Sequence, residues 1–377
     1  MNNQIFKTAN RIVLKIGSNL ICDAHDGAVK QGCIDNIVRN ALQQFDNKEI
    51  IIVTSGAIAL GRAGMGIDFT KPSRAIMLAQ KQAAAALGQR PLIEAYNKAF
   101  NDFGRQIAPI LLSPHDTEDR KAHLNARATL NALLKAGHVP LINENDTVAT
   151  EEIRFGDNDR LAARVAQMVE ADLLILLSTV DGLYTANPDQ DEAAEHIPVV
   201  KNIDETLQSY AQDSSAGFST GGMRSKLMAA QMCVGTGIPL LILDGRTAAP
   251  FSSYADCTAR GTLFEGTAGP AISARKKWIG AHIAPKGLLT IDDGAARALQ
   301  NGKSLLPAGI LACEGAFDYG DPVTVQGANG EKLATGLSNY DCQAVCTIRG
   351  RQSAEIVTLL GYERSDCVIH RDNMVLH

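Results

Sequence analysis

The sequence predicts an α/β fold: an open, mostly parallel sheet sandwiched by helices over residues 1–269, followed by a small β-rich domain over residues 275–377. Three observations carry this expectation. Runs such as Leu173–Leu177 and Ile238–Leu243 are apolar throughout, as strands are when helices cover both faces of their sheet. Such runs alternate with longer stretches of helical texture, the rhythm of βαβ units. After about Gly269 the texture changes to Gly, Pro and short alternating runs, which read as a separate domain. A chain of 377 residues accommodates two or three domains of roughly 100–200 residues each.

The first strand is expected at Arg11–Ile16 and the second at Glu49–Val53. Ile107–Leu112, Val139–Asn143, Asp172–Leu177 and Pro239–Leu243 repeat the pattern. Helices are expected at Pro72–Phe103, Arg120–Ala136, Asn158–Ala171 and Gly222–Thr236. Thr258–Arg275 reads as a linker. Beyond it, strands are expected at Leu288–Ile291, Gly309–Cys313, Asp321–Gln326 and Lys332–Gly336, with one short helix at Gly294–Gly302.

Composition excludes several classes. With 45% hydrophobic and 20% charged residues the chain is not mainly disordered. Lys and Arg total 36 against 41 Asp and Glu, a net charge of −5, which argues against a protein built mainly to grip nucleic acid or acidic membranes. Residues 275–377 carry 11 basic and 11 acidic side chains, so the whole imbalance lies before them. No apolar signal core precedes Ile12 and the longest apolar runs are strand-length, so neither a secretory signal nor a membrane span is expected, and the location expected is cytoplasmic. The eight cysteines are scattered. Only Cys342 and Cys346 lie close, with no His pair at zinc spacing, and free thiols are expected.

Ligands of open α/β sheets gather at the carboxyl ends of the strands, and polar residues accumulate there. The first strand runs into Lys15-Ile16-Gly17-Ser18, where an ammonium and bare backbone N–H groups can meet a phosphate; an ordinary turn after a buried strand is the alternative. The second ends in Thr54-Ser55-Gly56-Ala57, suited to an anion at a helix N-terminus or to a plain capped turn. Ile142-Asn143-Glu144-Asn145-Asp146 and Phe155-Gly156-Asp157-Asn158-Asp159 are the sharpest signals. Between residues 144 and 159 there are six acids and one basic residue, Arg154. Carboxylates and amides there can hold a substrate ammonium and shape a hydrated Mg2+ site.

Ser219-Thr220-Gly221-Gly222-Met223-Arg224-Ser225-Lys226 opens a helix with a glycine pair and a lysine one turn in, a second place for an anion. It lacks the Gly-Lys-Ser/Thr of a P-loop, and Gly61-Arg62-Ala63-Gly64-Met65-Gly66 fails the dinucleotide spacing. There is no Gly-x-Ser-x-Gly elbow, and His115, His123 and His138 lack metal-ligand spacing. Two lysines by Gly-rich turns, an acid cluster and no hydrolytic nucleophile together favour phosphoryl transfer.

In their order, these motifs with Asp181-Gly182-Leu183-Tyr184 closely resemble the glutamate 5-kinase (gamma-glutamyl kinase) family, which opens proline synthesis. The first domain resembles the amino-acid kinase fold. The tail, with Gly302-Lys303-Ser304-Leu305-Leu306-Pro307, Phe317…Gly320-Asp321 and Gly336…Tyr340, resembles a PUA domain. The resemblance implies that Lys15 and Lys226 contact ATP phosphates and that Asp159 orients them. It implies that Ser55, Asp146 and Asn158 hold glutamate with Asp157 close by. Ser178, Thr179 and the loop Thr220, Gly221, Gly222, Met223, Arg224, Ser225 and Lys226 would line the nucleotide site. Many relatives carry Thr-Asp where this chain has Ser178-Thr179, which bears on contacts to the base.

ATP and Mg2+ are implied as cofactors, proline as a feedback inhibitor, and a homo-oligomer as the assembly. A different class is an RNA-binding module with a degenerate kinase, because PUA domains occur in RNA-modifying proteins. The tail's zero net charge weighs against it. Aspartate, N-acetylglutamate, carbamate and UMP kinases are competitors within the fold, and the two Asn/Asp motifs and the tail favour glutamate.

Overall fold

The computed structural model describes residues 2–69, 75–113, 116–117, 119–148, 158–188, 190–204, 207, 210, 222–266 and 285–377. The chain divides into two compact units, Met1–Ala268 and Gly269–His377.

In the first unit the strands are β1 (Arg11–Ile16), β2 (Glu49–Thr54), β3 (Ile107–Leu112), β4 (Val139–Glu144), β5 (Leu173–Ser178), the small antiparallel pair β6 (Leu183–Tyr184) and β7 (His196–Ile197), then β8 (Val199–Val200), β9 (Leu240–Asp244) and β10 (Thr262–Phe264). Eight of them form one sheet in the order β3-β4-β2-β1-β5-β9-β10-β8. Neighbours run parallel except β9 and β10.

Successive side chains of a strand point to opposite faces, and here both faces are apolar because helices cover both. Val13, Ile51, Val53, Leu174 and Leu176 join one core, with Leu161 and Val165 of the helix Asn158–Met168 and Leu227 of the helix Met223–Val234. Ile12, Leu14, Ile16, Ile50, Ile52, Leu173, Ile175 and Leu177 join the other. Against these pack the helix Gln31–Gln44, through Ile34, Ile37, Val38 and Ala41, and the helix Leu78–Asn101, through Leu92, Tyr96 and Phe100. Each such Leu or Ile contributes about 1.5–3 kcal/mol by leaving water.

The expected strands are present, with ends shifted by a residue or so. The helix expected from Pro72 starts at Leu78, since Met77 is extended (φ −60°, ψ 147°), and it runs through Pro91 to Asn101. The helix expected over Gly222–Thr236 spans Met223–Val234.

Two glycines lock the segment after β2. The short helix Ala57–Gly61 lies against Leu78–Asn101 so closely that a Cβ on Gly61 would sit 1.8 Å from the Ala84 carbonyl oxygen. One on Gly88 would sit 1.8 Å from that of Ala57. Backbone meets backbone there, and no flexible side chain can yield. Gly88→Val is therefore expected to push the turn at Ser55 out of place and to cost at least about 1–3 kcal/mol of overpacking. Thermal unfolding would register it; a wild-type melting temperature would show that the helices separate freely.

The second unit is a five-stranded sheet of β11 (Gly287–Ile291), β12 (Ile310–Gly315), β13 (Pro322–Gly327), β14 (Lys332–Leu337) and β15 (Met374–Leu376), in the order β12-β11-β13-β14-β15. Leu289, Ile291, Val323, Val325, Tyr340, Val345 and Ile348 are in its core. Asp292 caps the helix Asp293–Gln300 by accepting from Ala295 N at 2.7 Å, and Asp341 caps Cys342–Ile348 by accepting from Ala344 N at 2.8 Å. The sequence reading expected a single helix in the tail, but Cys342–Ile348 and Ile356–Leu360 are also helical. Among the described residues, no helix is long and apolar enough to cross a membrane.

Candidate active site

The sheet order turns at β1, which has β2 on one side and β5 on the other. The chain leaves β1 toward β2 and leaves the adjacent β5 toward the β9 side, and where neighbouring connections part in this way a crevice opens at the carboxyl ends between the two strands. Lys15 is one residue from the end of β1, on the face that carries Val13. The helix Asn158–Met168 packs on this same face and brings Asp159 over the strand end. Lys226, one turn into Met223–Val234, arrives from a third element 67 residues further on.

The three charges meet out of water. Lys15 Nζ lies 2.6 Å from Asp159 Oδ1, and Lys226 Nζ donates to Asp159 Oδ2 at 3.1 Å. Ser225 Oγ donates to the same Oδ2 at 2.9 Å. Asp159 is 0% exposed, Lys226 3% and Lys15 5%. Burial alone pushes the Asp159 carboxyl up, but the charges of Lys15 and Lys226 and their hydrogen bonds outweigh it and hold it well below the usual carboxylate range. The cluster thus carries one net positive charge beside a bare backbone: a Cβ on Gly17 would lie 4.0 Å from Lys15 Nζ. An anion at the strand end meets that charge.

A second group of polar residues lies at the ends of β2 and β4. Asn158 Nδ2 donates to the Thr54 carbonyl oxygen and, at 2.8 Å, to Asn143 Oδ1. Thr54 Oγ1 is 3.0 Å from the Tyr96 hydroxyl. Ser55 is half-buried just beyond, before Gly56, whose φ of +101° is left-handed and suits glycine alone. Asp146 is buried two residues past β4. Asn143 belongs to the Ile142–Asp146 motif, and nothing in the sequence alone gives it a role. Its Nδ2 is buried with no hydrogen-bond partner among the described residues, which leaves both of its N–H donors for a bound molecule.

Ser178 ends β5 and Thr179 follows it, both half-buried. Beyond them is a cavity of about 240 Å³ lined by Asp181, Leu243, Asp244, Thr247 and Arg260. Nothing in the local sequence distinguishes Asp244 or Arg260 from surface charges. Gly222 and Arg224 are exposed and Met223 half-buried at the start of their helix, while Ser225 is buried. Asp157, Thr220 and Gly221 lie outside the described residues, as do Glu151, Glu152, Arg154 and residues 267–275 of the expected linker, whose earlier part is no linker, because Thr262–Phe264 pairs into the sheet as β10.

Comparison with known proteins identifies the family of each unit. Residues 10–244 match the model of the amino acid kinase family, and residues 287–360 match that of the PUA domain. A glutamate 5-kinase of a Ruegeria species is 44% identical over 370 residues, covering 98% of this chain and 99% of its own. One from Caulobacter vibrioides is 46% identical over 374 residues, covering 98% and 97%. The chain belongs to the amino acid kinase family, among the glutamate 5-kinases, with a PUA domain following the kinase fold.

Proposed function

We propose that this protein transfers the γ-phosphoryl group of ATP to the side-chain carboxylate of L-glutamate, giving L-glutamyl 5-phosphate and ADP, the first step of proline biosynthesis. The observation that carries the reading is the buried Lys15–Asp159–Lys226 cluster at the strand ends. A carboxylate with an ordinary pKa near 4.3 is already ionised at pH 7, so the nucleophile needs no general base. The obstacle is the approach of an anion to a polyanion. Positioning and charge neutralisation carry most phosphoryl transfer, and two ammoniums held by one carboxylate supply both. The carboxylate oxygen attacks phosphorus in line, the bond to the bridging oxygen of ADP breaks, and the developing charge falls on the lysines.

Lys15, Lys226 and the Gly222–Ser225 helix start would hold the phosphates. Ser178, Thr179 and the cavity beyond them would hold the nucleoside. Ser55, Asp146 and Asn158, with Asp157 and Asn143 Nδ2, would hold glutamate. Both oxygens of Asp159 face ammoniums, so this carboxylate does not fit as a metal ligand. Mg2+ would arrive on the triphosphate, and no step rests on a protein-held ion. A cytoplasmic homo-oligomer inhibited by proline completes the proposal, on the strength of the family resemblance.

The decisive experiment is an acceptor panel: ADP release with glutamate, aspartate, N-acetylglutamate, carbamate and UMP, with hydroxylamine trapping of the acyl phosphate. Hydroxamate formed from an acceptor other than glutamate, with none from glutamate, would overturn the assignment. A salt-dependent RNA titration alongside tests the PUA-based alternative.

The acceptor residues have their own signature. Asp146→Ala and Asn158→Ala are expected to raise the glutamate KM far more than the ATP KM, by roughly tenfold or more for each lost hydrogen bond to a charged group. Equal effects on both substrates would place the two residues in general architecture.

Every residue assigned here lies well before residue 269. A chain ending near Gly269 is therefore expected to keep making hydroxamate from glutamate and ATP, with regulation or assembly open to change. A folded 1–269 protein without activity at saturating substrates would show that the tail completes the site.

A further inference from the structure

The second unit holds a group of side chains that the phosphoryl-transfer reading does not use. Cys342 and Cys346 are one turn apart on the helix Cys342–Ile348, so their side chains share a face. Cys313 comes from β12, about 30 residues earlier in the chain, and completes a triangle with them. The three sulfurs all lie within 4.8 Å of one another, and Cys313 Sγ is 3.6 Å from Cys342 Sγ. Cys346 is exposed and the other two are half-buried, so the triangle is reachable from solvent.

A disulfide needs two sulfurs at about 2.05 Å and has no use for a third. Three sulfurs on a tetrahedral ion with bonds of about 2.3 Å stand about 3.8 Å apart, the spacing approached here. Metal-bound cysteines are thiolates, so binding of an ion at such a triangle releases protons.

We propose that Cys313, Cys342 and Cys346 form a binding site for a thiophilic divalent cation of the Zn2+ class. Three thiols bind the ion as thiolates, each S–H bond releasing its proton to solvent, so a dication becomes a complex of net charge −1. Soft sulfur ligands select such ions over Mg2+ or Ca2+. Three protein ligands leave the fourth tetrahedral position to water or an external thiol, the pattern of an exchangeable rather than a closed structural site. The site joins the edge strand β12 to the helix that follows β14, so occupancy stiffens this unit against local opening.

The test uses the full chain, fully reduced, stripped with a chelator and titrated with Zn2+ against a chromophoric competitor. One tight equivalent per chain with proton release is expected, and Cd2+ or Co2+ should bring up a thiolate-to-metal charge-transfer band. Cys346→Ser, a change at an exposed position, should weaken the equivalent by an order of magnitude or more and remove part of the band. Cys313→Ser should do the same, and Cys257→Ser, in the first unit, should do neither. Circular dichroism establishes that each variant is folded. No stoichiometric uptake by the reduced wild type would overturn the proposal. So would an equivalent that survives in both Cys313→Ser and Cys346→Ser.

Discussion

Lys15→Ala and Lys226→Ala are each expected to lower kcat by about 10²–10³-fold, the roughly 3–4 kcal/mol that loss of one preorganised charge-stabilising group removes from a transition state. The expectation follows from placement. Both ammoniums are held by one buried carboxylate, at 2.6 Å and 3.1 Å, so neither reorganises when charge develops on the transferring group. Each is shielded from water, where a charge acts more strongly than on the surface. The loss should fall on kcat more than on the glutamate KM, because the phosphates and not the acceptor lose a partner. Steady-state kinetics on variants shown to be folded settle it, and a near-wild-type kcat in either would remove that lysine from the mechanism.

Asp159→Asn should be the most damaging single change to the fold of the site. It leaves two buried ammoniums facing one another without their shared anion, and breaking a buried ion pair costs about 3–5 kcal/mol. A fall in melting temperature and a loss of kcat should appear together. Because a bound triphosphate supplies the missing negative charge, ATP should raise the melting temperature of the variant more than that of the wild type. Equal stabilisation of both by ATP would mean that the nucleotide does not meet this cluster.

The pH dependence has a definite sign. The folded pKa of Asp159 is depressed, so its contribution is present above the unfolded value near 3.9 and is lost only as pH falls through the lower folded value. The stability gap between wild type and Asp159→Asn should therefore hold steady from pH 8 to pH 5 and close only under acid. A gap that closes between pH 7 and pH 6 would implicate another group.

How much of this was legible beforehand varies by element. β1, β2, β4, β5 and β9 could be read because a strand covered on both faces is almost wholly apolar, and the edge strand β3, half-exposed along its length, because its residues are apolar all the same. The helix Gln31–Gln44 is not among the expected helices, although Ile34, Ile37, Val38 and Ala41 fall at the i, i+3, i+4, i+7 positions of a buried face. It has no polar motif at either end to draw the eye, and neither has the antiparallel three-residue β10. The helix Cys342–Ile348 does carry an Asp N-cap, but at seven residues it is too short for a clear period.

The sequence by itself determined the fold class, the motifs at the strand ends and the family, because these rest on local periodicity and on short ordered strings of residues. The resemblance implied that Asp159 orients Lys15 and Lys226, but only tertiary structure gives the physical means by which those strings meet. Lys15, Asp159 and Lys226 share no local pattern, and only a parallel sheet that turns at β1, with the helix Asn158–Met168 on the Lys15 face, brings one carboxylate between two ammoniums. The same holds for Asn143 under Asn158, and for Cys313 beside Cys342 and Cys346. The physical reason is common to all three. Hydrophobic burial fixes the chain path without regard to the polar groups it carries along, so the distance between two distant side chains is a property of the packed core and not of either segment.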